Sequence, residues 1–151
     1  MIKFNEIGPE KLIEIYNPEI KLHGFLVIDS TKLGPAKGGL RITPTVTLEE
    51  IYHLARIMTY KCAISELPFG GGKAGIRVEI KGNDKSNKLL LIREFAKAIK
   101  NLCPSEYITA PDIGTGETEM AEFVKTIGSP KAATGKPVTM GGIPHELGTT
   151  G

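Results

Sequence analysis

Leu67-Pro68-Phe69-Gly70-Gly71-Gly72-Lys73-Ala74-Gly75 sets three consecutive glycines in front of one lysine. Lacking side chains, Gly70 to Gly72 let backbone, ligand and neighbouring elements approach that lysine more closely than other residues would allow. A second lysine, 36 residues upstream, is set the same way in Gly34-Pro35-Ala36-Lys37-Gly38-Gly39-Leu40-Arg41. A third, Lys61, lies between them on a predicted helix. Three lysines in glycine-flanked or apolar settings point to a site that grips an anion and tunes an amine, rather than to a solvated charge run. The stretch is not a phosphate loop, because Gly-x-x-x-x-Gly-Lys-Ser/Thr would need glycine where Leu67 stands and a hydroxyl residue where Ala74 stands. Taken alone, a tight turn with an exposed Lys73 explains it better. The accompanying motifs decide.

Working outward, Ala74 to Ile80 alternates Ile76, Val78 and Ile80 against Arg77 and Glu79, which predicts a strand with one wetter face. Leu22 to Ile28 is apolar on both alternating faces and predicts a strand buried on both sides. Gly39 to Thr43 suits a second, short strand, and residues 8–16 a short helix. Thr47-Leu48-Glu49-Glu50 is a capping box that opens a helix over 47–64, with Leu48, Ile51, Leu54, Ala55, Met58 and Cys62 at helical spacing. Residues 86–102 predict a second amphipathic helix, Tyr107 to Ala110 a strand, and 117–127 a third helix stopped by Gly128. The order β-β-α-β-α-β-α predicts one layered α/β domain around a mixed sheet.

At 151 residues, 40% hydrophobic and 24% charged, the chain has the length and composition of a single globular domain. A net charge of +2 with interspersed lysines and acids gives no reason to expect a nucleic-acid or membrane surface. Cys62 and Cys103 stand 41 residues apart with no C-x-x-C, and read as reduced, buried thiols of a cytoplasmic protein. His23, His53 and His145 show no paired spacing, so no metal site is expected. No apolar run approaches a membrane span, and the amino terminus is not a signal peptide.

Lys61 falls at the border of the apolar arc of its helix, where a lysine either covers core with its stem or binds an anion. Thr109-Ala110-Pro111-Asp112-Ile113-Gly114 places a carboxylate just past a strand end, where α/β sheets gather ligand-binding groups. Read alone, Asp112 is better explained as a turn or helix-cap residue. Read together, one carboxylate and several lysines on short glycine-rich loops make a site that could bind a carboxylate-bearing substrate and move protons on it.

The motifs Gly34 to Arg41, Met58 to Lys61, Leu67 to Lys73 and Ala110 to Gly114, in that order and at those spacings, resemble the glutamate/leucine/phenylalanine/valine dehydrogenases. The resemblance runs from about residue 21 to the end. It implies a three-layer α/β/α domain with a mixed sheet, residues 1–151 being the amino-terminal domain that binds the amino acid and builds a homo-oligomer. It also implies that this domain ends at the hinge, with no Rossmann domain in this chain and the NAD or NADP domain lying beyond it. By the same resemblance Lys73 is the catalytic lysine that activates water, and Asp112 shuttles a proton to and from the departing amine. Lys61 holds the α-carboxylate; Met58, Gly38 and Ala110 line the substrate site; and Thr150 belongs to cofactor binding. A lysine desolvated among glycines and apolar walls can act as a base near neutral pH.

Lys37 bears on substrate choice. The resemblance implies that a lysine here pairs with the side-chain carboxylate of glutamate, where leucine and phenylalanine enzymes carry an apolar residue. An unpaired cation in an apolar pocket is costly, which favours glutamate. The short amino-terminal segment instead matches the branched-chain and aromatic enzymes. Gly114-Thr115-Gly116-Glu117-Thr118-Glu119 has glutamate where a dinucleotide fingerprint needs its third glycine, and reads as a turn before a helix. The tail from Pro144 to Gly151 loosely matches the approach to the hinge. The isolated chain is accordingly expected to be inactive and to bind no cofactor. A stand-alone amino-acid-binding or assembly module is the alternative class.

Overall fold

The computed structural model describes residues 1–78, 85–143 and Leu147. Five strands, β1 (Lys11–Asn17), β2 (Leu22–Ser30), β3 (Ala36–Thr43), β4 (Gly70–Arg77) and β5 (Tyr107–Pro111), form one sheet in the order β1-β2-β4-β3-β5. The β1/β2 and β2/β4 pairs are antiparallel, whereas β3 runs parallel to both β4 and β5. Among the described residues three α-helices accompany it, α1 (Leu48–Ile64), α2 (Lys85–Ala98) and α3 (Glu117–Ile127). The sheet is mixed, as the sequence predicts, but contains one strand more.

That extra strand is β1, in the segment expected to be helical. Ile13 and Ile15 pack on the core while Glu14 and Tyr16 are exposed, a period of two, and the strand pairs with β2 from Lys11 opposite Ile28 to Asn17 opposite Leu22. Strand β3 also starts earlier than expected, at Ala36, so that Lys37 belongs to the sheet. The start of α1 follows half of its expected capping box, since the Glu50 side chain turns to Arg41 rather than back to the Thr47 amide. Thr47 caps α1, its hydroxyl accepting from the Glu50 amide at 3.1 Å. Gly128 closes α3 in the left-handed region at φ 83°.

Strand β4 corrects the reading of the glycine run. Gly70 to Gly72 are not a loop but central strand, flanked by β2 and β3, and every residue from Gly70 to Ile76 is buried. Only its end, at Arg77, is wetter, while Glu79 and Ile80 lie outside the described residues. Glycine is needed because α1 docks directly on the strand: a Cβ at Gly71 would run into the backbone nitrogen and hydroxyl of Thr59. That helix position is itself fixed. The fully buried Asp29 of β2 accepts from the Thr59 hydroxyl at 2.6 Å and from Arg56 Nε at 2.8 and 2.9 Å.

The core divides by strand alternation. Phe25 and Val27 of β2 cluster with Val46 and with Ile51, Tyr52 and Ala55 of α1. Leu22, Leu26 and Ile28, pointing the other way, cluster with Leu91, Ile92 and Phe95 of α2 and with Met120 and Phe123 of α3. Cys62 and Cys103 are free and buried. No described helix is long and apolar enough to cross a membrane.

Gly71→Ala should lower the unfolding free energy by about 3 kcal/mol, since neither the strand nor the backbone of α1 can give way cheaply. Urea denaturation of the two proteins measures it, and a loss below about 0.5 kcal/mol would contradict the docking described here.

Candidate active site

Alternation along β3 puts Lys37, Gly39 and Arg41 on one face, and the parallel register sets Gly71, Lys73 and Gly75 of β4 beside them. Ile108 and Ala110 of β5 lie opposite Lys37 and Gly39. This is the face on which α1 packs, since Lys73 is paired with Val27. The helix sits chiefly on β2 and β4, and Lys37, Ile108 and Ala110 beyond it are only half-buried.

Lys73 is buried, and its Nζ lies 2.8 Å from Asp112 Oδ2. The aspartate reaches it from the turn after β5, where its amide donates to Thr115 Oγ1 at 2.9 Å and the Thr115 hydroxyl donates to Leu40 O at 2.8 Å. Gly39 makes the meeting possible. A Cβ there would stand 2.8 Å from Asp112 Cβ, 2.9 Å from Pro111 O and 3.3 Å from Lys73 Nζ. The same Oδ2 accepts from Arg41 Nε at 3.0 Å, and Arg41 Nη1 donates to Glu50 Oε1 at 2.6 Å. Burial pushes the Asp112 carboxyl up, but hydrogen bonds from Arg41 and then Lys73 outweigh it and hold the group below its usual value.

Lys37 donates to Thr134 Oγ1 at 2.7 Å and Thr109 O at 3.3 Å, and makes no ion pair among the described residues. Burial lowers its ammonium to about 8, with Cys62 opposing the shift and Lys136 adding to it. Thr134 and Lys136 also line a small cavity with Gly135, Gly141, Gly142 and Ile143. Tyr107, fully buried beneath the site, donates its hydroxyl to Gly38 O at 2.8 Å, so Gly38 contributes backbone rather than an open surface.

On α1, Glu50, Leu54, Met58 and Lys61 fall within one stripe by helical spacing, and the contact of Glu50 with Arg41 shows which way the stripe faces. Met58 is half-buried and Lys61 exposed. Lys61 is not brought into contact with Lys73 or Asp112; it stands on the helix rim beside Cys62, whose thiol burial pushes up while Lys37 and Lys61 oppose the rise. Lys73, Asp112, Lys37, Gly38 and Ala110 thus come together around Gly39, Met58 and Lys61 lie on the adjoining helix, and Thr150 is outside the described residues. Arg41 and Glu50 were missed as site residues. The alternation Lys37, Gly39, Arg41 was the available signal.

No described group of His, Cys, Asp and Glu could hold a metal ion. Gly114 turns the chain in the left-handed region, at φ 79°. The amide of Gly116 at the start of α3 is already taken by Glu119 Oε2 at 2.8 Å, and Glu117 adds a second acid to that helical turn.

Residues 12–129 match the model of the Glu/Leu/Phe/Val dehydrogenase dimerisation domain. The NADP-specific glutamate dehydrogenase of Synechocystis sp. is 41% identical over 135 residues, covering 85% of this chain and 32% of that protein. Among solved structures, the leucine-bound hetero-hexameric glutamate dehydrogenase of Thermus thermophilus superposes with a TM-score of 0.81 at 35% identity, covering 89% of this chain and 36% of that one. The L-tryptophan dehydrogenase of Nostoc punctiforme superposes with a TM-score of 0.71 at 27% identity, covering 85% and 37%. The chain spans about a third of the length of the curated relatives it matches. By the match over 12–129, the chain belongs to the Glu/Leu/Phe/Val dehydrogenase family, in the part of it described as the dimerisation domain.

Proposed function

We propose that this chain is the substrate-binding and oligomerising part of an NAD(P)-dependent amino-acid dehydrogenase. The reaction takes an L-amino acid, water and oxidised cofactor to a 2-oxo acid, ammonium and reduced cofactor. The 2.8 Å contact between Lys73 Nζ and Asp112 Oδ2 over Gly39 carries this reading. It supplies a cation and a proton carrier, partly withdrawn from water, on a face that can seat a small molecule. Lys73 orients the attacking water and stabilises charge at the α-carbon, and Asp112 exchanges a proton with the amine. Lys61, from the rim of α1, receives the α-carboxylate; Met58 and Ala110 flank the side chain. The helix clusters on the two sides of the sheet support a three-layer arrangement. Thr150, assigned to cofactor binding, lies outside the described residues.

Glutamate is the favoured substrate. Lys37 is a half-buried cation with no carboxylate partner among the described residues, so a second carboxylate on the substrate would relieve its desolvation. The dimerisation-domain match supports self-association. So does an exposed apolar stripe on α1, Ile57, Tyr60 and Ile64, continued by Leu67. The isolated protein should scatter light as a dimer or larger at tens of micromolar; a monomer would contradict this.

In the full-length protein, Lys73→Met or Asp112→Asn should cut turnover at least about a hundredfold with the fold retained by circular dichroism. Near-normal turnover in either variant would remove the assignment.

Lys37 makes a pH-linked prediction. Its ammonium titrates near 8 in the free protein, and an anionic partner raises that value further. Glutamate affinity should therefore be full below pH 8 and fall as pH rises above it. Lys37→Leu should weaken glutamate binding about tenfold or more and abolish that fall, as calorimetry across pH 7–10 would register.

A further inference from the structure

Four alternating charges run through the site. Glu50 Oε1 takes Arg41 Nη1 at 2.6 Å, Asp112 Oδ2 takes Arg41 Nε at 3.0 Å, and the same oxygen takes Lys73 Nζ at 2.8 Å. The middle of this chain is shielded: the side chains of Arg41, Asp112 and Lys73 are 17%, 18% and 9% exposed, so their mutual effects are not those of a solvated surface pair. Arg41 and Lys73 share one carboxylate oxygen, and the two cations come from adjacent strands, β3 and β4. Arg41 is in turn tied to α1 by Glu50, whose amide is capped by Thr47 and whose side chain turns to the guanidinium. Asp112 also accepts from the Ile113 amide, and the buried Tyr107 hydroxyl, bonded to Gly38 O beneath the sheet, feels its charge.

We propose that Arg41, tethered by Glu50, is a positioning residue that aims the Asp112 carboxylate at Lys73 and sets how readily it takes a proton. The inference rests on the proton-shuttling role proposed above for Asp112. Physically, the guanidinium remains charged throughout, so it anchors Asp112 whether or not Lys73 is engaged with substrate. Without it, Lys73 alone would hold the carboxylate, which would swing when the ammonium turned to another partner. Glu50 moderates the effect, because its negative charge reaches Asp112 through the shared guanidinium and offsets part of the field of Arg41.

The two partners therefore act in opposite directions. Arg41→Met removes a positive charge, so Asp112 should titrate about one to two units higher. Arg41→Lys should restore part of the parental value. Glu50→Gln keeps an oxygen that can hold Arg41 Nη1 but removes a negative charge, and should lower the Asp112 midpoint. The midpoint is read from the carboxyl ¹³C shift of Asp112 in the 151-residue protein, and the acid limb of kcat/KM in the full-length enzyme should move in the same sense. A residue of purely structural importance would lower activity without these opposed shifts. An Asp112 midpoint unmoved in Arg41→Met, or raised equally in Glu50→Gln, overturns the proposal; if Arg41→Met does not fold, Arg41→Lys and Glu50→Gln still supply the comparison. Near-normal turnover in Asp112→Asn would instead overturn the reading beneath it, whatever the titrations show.

Discussion

The close approach of three backbones over Gly39 is the constraint on which the rest of the site depends. Strand β3 carries Gly39, β4 brings Lys73 alongside, and the turn after β5 folds Asp112 back across both. A single methyl group at position 39 would meet the Asp112 Cβ at 2.8 Å and push apart the pair that sits above it. The same device recurs one strand over, where Gly71 admits the backbone of α1 at Thr59. Glycine costs strand stability through its unfolded-state freedom. Here that cost is offset by packing that no side chain would permit.

The close approach concentrates charge, and the buried acids described are each met by a cation, whereas Lys37 is met by no acid among the described residues. Asp29 is satisfied by Arg56 and Thr59, and locks α1 to β2. Glu119 is satisfied by Lys88 at 2.9 Å and by the Gly116 amide. Asp112 has two cations. Lys37 has only a hydroxyl and a carbonyl, and burial lowers it to about 8. A half-buried cation left to a neutral hydroxyl and a carbonyl is suited to an anionic visitor.

Much of this was legible in the residues. Thr47 and Gly128 mark helix ends because capping is local chemistry, and β2 reads as doubly buried because both alternating sets are apolar. The four motifs also carry the family, which the match over 12–129 bears out. Residues 8–16 were misread because a short apolar run fits either period until its partner is known, and β1 gains its identity from pairing with β2. The glycine run was misread because local preference argues against a strand there, whereas the docking of α1 requires one. Arg41 could have been placed beside Lys37 by alternation alone. Its bridge to Glu50 could not, because that depends on where α1 settles on the sheet. Lys61 shows the same limit, since spacing puts it on the correct stripe of α1 but leaves its distance from the sheet open.

The central claim is that a small amino acid or 2-oxo acid binds on the sheet face around Gly39. Mapping amide chemical shifts of the protein during a titration with glutamate tests it most directly. The account predicts saturable changes concentrated at Gly38, Gly39, Lys73, Ala110 and Asp112, with Lys37 and Thr134 joining them. Changes confined to the cavity of Ile42, Pro44, Val78, Lys88 and Gly114, or none at saturating glutamate, would contradict it.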